Sequence, residues 1–244
     1  MSRKPRVLLA WSSGKDSAMS LHVLRQEGEV EVVGLLTTLN QAFDRVAMHA
    51  VRRALLLAQA EAAGLPLVVV PIPWPCPNDA YEAAMSAALD EARADGVEGV
   101  AFGDLFLEDI RRYREEKLAG TGLRPIFPLW QRPTRALAEE MIAGGLRARI
   151  TCIDPRVLPP TFAGRAFDAD LLADLPGSVD PCGENGEFHT FAWDGPMFRH
   201  PIPIELGEVV ERDGFVFADL LPADERTDST QRTRRSQSAP RTES

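Results

Sequence analysis

From Arg6 to Trp130 the sequence alternates five apolar, β-rich runs with four helix-forming stretches, a pattern that leaves few folds open. The runs are RVLLAW (6–11), VEVVGLLTT (30–38), LPLVVVPI (65–72), VEGVAFGD (97–104) and LRPIFPLW (123–130). Between them lie helix-forming stretches at 15–28, 44–64, 78–96 and 107–120, each ending in the glycine favoured just past a helix C-terminus. Near-continuous apolar strands separated by helices predict a parallel sheet covered on both faces. Right-handed crossovers then put ligands at the carboxyl ends of the strands.

After about Pro133 the alternation loosens. A further helix is predicted in TRALAEEMIAGG (134–145), then a strand in RARITCID (147–154) and a Pro- and Gly-rich region. The segment 201–222 reads as a β-hairpin turning at Arg212–Gly214. The expected organisation is an α/β domain over 1–132, a smaller α+β domain over 133–222, and a disordered tail over 223–244. From Arg226 the tail carries five arginines against one aspartate and one glutamate, with no large apolar residue.

The 244 residues suffice for a sizeable core. A net charge of −9 argues against a broad nucleic-acid or anionic-membrane surface. Three scattered cysteines suit a reducing compartment. The apolar run behind the basic N-terminus is too short for a signal peptide, and none is long enough for a membrane span. A cytoplasmic protein is expected, its oligomeric state open.

Residues 11–17, WSSGKDS, follow the first strand. They are not a Walker loop: the required first glycine falls at Leu9, and Asp16 stands where Ser or Thr should be. A short Gly/Ser turn opening a helix still makes an anion site from backbone amides and the helix dipole. Ser12, Ser13 and Ser17 add hydroxyls, Gly14 a tight turn, and Lys15 a charge. Asp16 would be repelled by phosphate unless a divalent cation intervened, so it reads as a Mg²⁺ ligand. Gly103 and Asp104 end the fourth strand, where Gly103 could admit ATP and Asp104 share the metal.

A second polar cluster, DPCGENGEFHTFAWDGPMF (180–198), has no core-packing rationale, because so many polar groups are costly to bury without a ligand. With SSGKDS, FGD and PLW, it makes the chain resemble the diphthine–ammonia ligase (diphthamide synthase) family of PP-loop ATP pyrophosphatases, over about residues 5–222. The wording PCGENGEFHTF is similar to bacterial-type members, which leaves the acceptor open between diphthine and another carboxylate. Ser13 departs from the family's usual glycine.

The resemblance implies a HUP-type (Rossmann-like) sheet, Mg²⁺-dependent use of ATP, and amidation of a carboxylate by ammonia with release of AMP and pyrophosphate. It also implies that the backbone at Leu36 and Thr37 reads adenine. Lys15, Asp16, Asp104, Glu184 and Glu187 are then the expected catalytic residues. Arg45, His49, Asn185, Gly186, His189 and Thr190 are the expected acceptor side, with Arg45 and His49 on one face of the helix predicted over 44–64. Two rivals stand beside this reading: a thiolation enzyme on the same ATP site, and a non-enzymatic nucleotide-binding module.

Overall fold

The computed structural model describes residues 3–46 and 50–223. His49 and the arginine-rich tail lie outside the described residues. Strands β1 (Arg6–Ala10), β2 (Glu31–Asn40), β4 (Leu67–Ile72), β5 (Gly99–Ala101) and β6 (Arg124–Ile126) form a parallel sheet in the spatial order β4-β2-β1-β5-β6. The chain winds outward from β1 to β4, then returns to β5 on the other side. The order therefore reverses between β1 and β5, and their carboxyl ends open a crevice. Helices α1 (Lys15–Glu27), α2 (Arg53–Ala63), α3 (Asn78–Ala94) and α4 (Glu108–Leu118) connect the strands. This is the helix-covered parallel sheet that the alternation predicts, and it is consistent with the HUP-type arrangement that the resemblance implies.

Burial on both faces explains the apolar runs. On β1, Leu8 joins a cluster with Leu36, Val70 and Phe102, while Leu9 points into the main core. That main core continues through α1, α2 and α5 (Thr134–Ala143) into a second sheet, taking in Ile150, Phe191 and Val216. The second sheet is antiparallel, with β7 (Arg147–Ile153), β8 (Phe188–Asp194), β9 (Ile204–Arg212) and β10 (Phe215–Pro222) ordered β8-β7-β10-β9. The predicted hairpin is β9–β10, with Asp213 and Gly214 at its turn. A short helix, α6 (Ala169–Asp174), is capped by the Asp168 side chain accepting from Leu171 N.

Three elements differ from expectation. The helix predicted over 44–64 begins only at Arg53. Residues 45–46 instead form β3, antiparallel to the end of β2, with Asn40 opposite Arg45 and Leu39 opposite Val46. The backbone here spends its bonds on turns: Asp44 N donates to Asn40 O and Val46 N to Val51 O, and Asn40 Oδ1 accepts from Ala42 N. Burial of Val46 and Val51 in the core outweighs local helix propensity. Residues 188–194, expected as part of a polar loop, form β8. Short α6 lies in a stretch for which no helix was expected.

Gln59 ties these parts together. It is fully buried on α2, accepts from Trp11 Nε1 at 3.0 Å, and donates to Ser13 O at 3.0 Å and Ala192 O at 2.6 Å. One carboxamide on α2 thus joins the loop after β1 to β8. Gln59→Leu would leave the indole N–H and two carbonyls short of partners in a dry site. The expected cost is about 2–3 kcal/mol, or roughly 5–10 °C in melting temperature for a domain of this size. A thermal melt indistinguishable from wild type would show that the contact is dispensable.

Candidate active site

The crevice between β1 and β5 is a cleft of about 560 Å³, roofed by β8 and the loop before it. Of the expected residues, Ser12, Lys15, Asp16, Ser17, Leu36, Thr37, Gly103, Asp104, Glu184, His189 and Thr190 line it. Ser13, Gly14, Arg45, Asn185, Gly186 and Glu187 do not.

The loop after β1 is held from both ends. Ser13 O accepts from Ala192 N at 2.9 Å, and Lys15 N donates to Thr190 Oγ1 at 3.1 Å. Gly14, the N-cap of α1, has no side chain to satisfy that first helical amide, so β8 supplies the hydroxyl. Thr190, expected on the acceptor, therefore caps the phosphate loop. The hydroxyls of Ser12 and Ser17 lie 3.3 Å apart, with Ser17 Oγ donating to Gly14 O at 3.0 Å. Ser13 sits at φ 70°, left-handed backbone that costs an L-residue roughly 1–2 kcal/mol. Its hydroxyl, like that of Thr37, is buried without a hydrogen-bond partner among the described residues.

Gly103 has a reason other than admitting ATP. A Cβ there would stand 3.2 Å from Asp16 C and 3.3 Å from Ser17 N, so glycine lets the chain leaving β5 pack closely against the first turn of α1. At the other wall, the Leu36 carbonyl is already taken by Trp11 N at 2.7 Å, and Thr37 and Thr38 are the polar residues beside it.

Lys15 is the most buried charge. Its Nζ lies 2.8 Å and 3.0 Å from the two Asp16 oxygens, donates also to Cys182 O, and sits over the rings of Phe167 and Phe188. Burial works against the ammonium, but Asp16 and the groups at Cys182 and Glu184 hold its pKa above the ordinary value. Asp16 keeps 26% exposure toward the cleft, and burial holds its carboxyl above the usual range despite Lys15.

Asp104 and Glu184 complete the acidic wall. Arg114 Nε reaches Asp104 at 3.5 Å while its guanidinium stacks on Phe102. Glu184 Oε1 accepts from Leu105 N at 2.7 Å. Its carboxyl is pushed up to about 7, first by burial and then by the charges of Asp16 and Asp104. Among the described residues no three His, Cys, Asp or Glu side chains form a ready-made metal cage. Carboxylates crowded until one resists ionising do fit a divalent cation completed by phosphate oxygens.

The 180–187 loop divides its polar residues by direction. Asp180 Oδ2 accepts from the amides of Cys182 and Glu184, both at 3.0 Å. Glu187 accepts from Asp180 N at 2.9 Å, and from Asn185 N and Nδ2 at 3.0 Å each. Glu187 and Asn185 thus build the loop and do not face the cleft, contrary to their expected roles. Gly186 supplies the turn at φ 85°. His189 stays at the cleft, its imidazole pushed down to about 4 by burial and by Lys15. The Cys182 thiol is buried against Thr134 O at 3.4 Å and burial pushes it up to about 12, as expected of a packed thiol.

Arg45, expected on a helix facing substrate, projects from β3 onto the second sheet. It donates to Asp219 Oδ1 at 2.9 Å and to Ala50 O at 2.7 Å, and Arg52 binds the same carboxylate. Gln59, Asp180 and Arg114 escaped the sequence reading. Gln59 did leave a signal, a polar residue in the apolar stripe of Leu55, Leu56, Ala62 and Ala63.

Comparison with known proteins settles the lineage. The diphthamide synthase N-terminal domain profile matches residues 5–125, and the C-terminal domain profile matches residues 133–218. The chain belongs to the diphthamide synthase family. It is 29% identical over 237 residues to the diphthine–ammonia ligase of Bos taurus and 28% identical to that of Homo sapiens, each covering 88% of both chains. The Danio rerio ligase is 34% identical over 131 residues, about half of each chain. These relatives are ligases, and the phosphate loop and carboxylate wall of this family member are those of an enzyme. Among the described residues no helix is long and apolar enough to cross a membrane.

Two substitutions probe the site. Ser13→Gly relieves the left-handed backbone and removes a buried hydroxyl, so a gain of about 1 kcal/mol is expected in chemical denaturation. A clear loss would mean that the hydroxyl has a partner in the folded protein. Glu184 gives a pH test. Its folded pKa of about 7 exceeds the ordinary 4.5, so its ionised form is disfavoured by folding and stability falls as pH rises from 4.5 to 7. Glu184→Gln should melt above wild type at pH 8 and converge with it near pH 4.5. A constant difference across that range would show that Glu184 is not the titrating group.

Proposed function

We propose that the chain is an ATP-dependent carboxylate–ammonia ligase that forms an acyl-adenylate and releases AMP and pyrophosphate. The observation that carries this reading is the PP-loop at the sheet's switch point, sealed by β8 and facing Asp16, Asp104 and Glu184. The diphthine–ammonia ligase relatives supply the reaction class. The acceptor is a carboxylate, diphthine or another, held on the β8 side.

In the first step an acceptor carboxylate oxygen attacks the α-phosphorus, the bond to the β-phosphate breaks, and pyrophosphate leaves. Loop amides and the α1 N-terminus hold the phosphates in line. Thr37, whose hydroxyl is buried without a partner among the described residues, faces the adenine side. Asp16 and Asp104 would hold Mg²⁺, which when bound offsets the phosphate charge. In the second step the nitrogen of ammonia attacks the acyl carbon and AMP departs. Glu184, poised near neutrality, takes the proton that nitrogen loses. Lys15 positions Asp16 and the 182 carbonyl. Thiolation is less well supported: the three cysteines are scattered with no CxxC pair, Cys152 and Cys182 are buried, and the chain's net charge is −9.

Product analysis tests this directly. ATP should yield AMP and pyrophosphate in the presence of acceptor and ammonia. Asp16→Asn should reduce turnover at least 100-fold and, by stripping buried Lys15 of its carboxylate, also lower the melting temperature. Asp104→Asn, which loses a 3.5 Å contact with Arg114, should reduce turnover comparably while the melting temperature stays within a few degrees. ADP and phosphate as sole products, or near-normal turnover by either folded variant, would overturn the assignment.

A further inference from the structure

Beside the cleft lies a second cavity of about 340 Å³, to which no role has been given above. Its walls come from both sheets. Phe43 and Trp74 stand on the side of the parallel sheet, and Phe215 and Phe217 on β10. The Phe43 and Trp74 rings meet edge-on at 5.7 Å, and those of Phe215 and Phe217 lie 6.5 Å apart. Phe43 and Trp74 are nonetheless 48% and 59% exposed. Two large rings left half in water beside a cavity are unusual unless something apolar covers them.

The position of the cavity identifies the occupant. Val46 and His189 line both this cavity and the ATP cleft, so the two share one wall. Arg45 also lines the cavity, and its salt bridge to Asp219 ties β3 to β10 across it. The guanidinium is thereby committed to holding the walls together. The volume lies within the range of about 300–1,000 Å³ usual for small-ligand sites.

We propose that this aromatic cavity is the acceptor subsite, holding the flat apolar body of a substrate whose carboxylate passes Val46 and His189 into the ATP cleft. The assignment rests on reading that cleft as the site of adenylation. It adds a substrate class: carboxylates carrying a flat apolar ring, in preference to short aliphatic acids. Phe43 and Trp74 grip the body by stacking and burial, and so set specificity without touching the reacting atoms.

The probes are 3-phenylpropionate and propionate, titrated calorimetrically into the full-length protein, with ATP titrated separately. Wild type should bind 3-phenylpropionate at least tenfold more tightly than propionate. Phe43→Ala and Trp74→Ala, both at exposed positions, should each weaken that binding at least fivefold and leave ATP affinity unchanged. Equal affinity for the two acids, or no change in either variant, would overturn the proposal. ATP–pyrophosphate exchange stimulated by the same acids reports separately on the cleft. Exchange indifferent to the ring and to both variants would remove the aromatic subsite and leave adenylation standing. Ring-selective binding with ATP cleaved only to ADP would remove adenylation and leave the subsite.

Discussion

The phosphate loop depends on a strand that is not part of its own sheet. Ser13 O and Lys15 N face β8, and Ala192 N and Thr190 Oγ1 meet them at 2.9 Å and 3.1 Å. Without β8, the first amide of α1 loses its cap and the Ser13 carbonyl one of its two donors. Each such bond contributes about 1 kcal/mol net, and more is lost when a partner is stranded in a dry site. The left-handed conformation of Ser13 needs that external support, because an L-residue would otherwise relax out of it. The loop after β1 and the β8 wall of the cleft are thus built as one object, although Lys15 and Thr190 lie 175 residues apart in the chain.

Glu184 and Glu187 show how a polar loop is sorted into scaffold and chemistry. Glu187 has oxygens filled by three loop donors and is buried. Glu184 has one strong donor, Leu105 N, and repulsion from two neighbouring carboxylates. Three residues apart, one carboxylate is satisfied and the other is left near its titration point. A proton acceptor needs the second condition.

Much of this was legible in the sequence, and the rest was hidden for physical reasons. Alternation of apolar runs gave the parallel sheet and the crevice, because burial on both faces leaves a local signature in every strand. The hairpin announced itself through Asp213-Gly214. The helix expected over 44–64 was wrong at its start, since Val46 and Val51 are claimed by core contacts that no local rule contains. Arg45 followed it, onto Asp219, 174 residues away. Strand β8 left little local signal, because FHTFAW does not alternate apolar with polar residues and the neighbours Phe191 and Ala192 are both fully buried. What motif spacing could not show was direction: which of Glu184, Asn185 and Glu187 would face the cleft. That is decided by the loop's own amides, which Asp180 and Glu187 gather inward.

The remaining constraint is electrostatic. A chain of net charge −9 must hold a polyphosphate beside Asp16, Asp104 and Glu184. Lys15, the cation buried nearest, is already matched against Asp16 and lies beneath Phe167 and Phe188. Arg114 reaches only Asp104, at 3.5 Å. Helix and loop amides supply partial charges, about half an elementary charge at the α1 N-terminus. That is too little for several phosphate charges and three carboxylates within one cleft. The shortfall makes the acidic wall intelligible: carboxylates that repel phosphate in isolation attract it once a divalent cation stands between them. In the proposed reaction the same wall that resists ionisation in the free protein, as Glu184 does near pH 7, would become favourable when nucleotide and a divalent cation arrive together. Ligand charge and site charge are complementary only as a set.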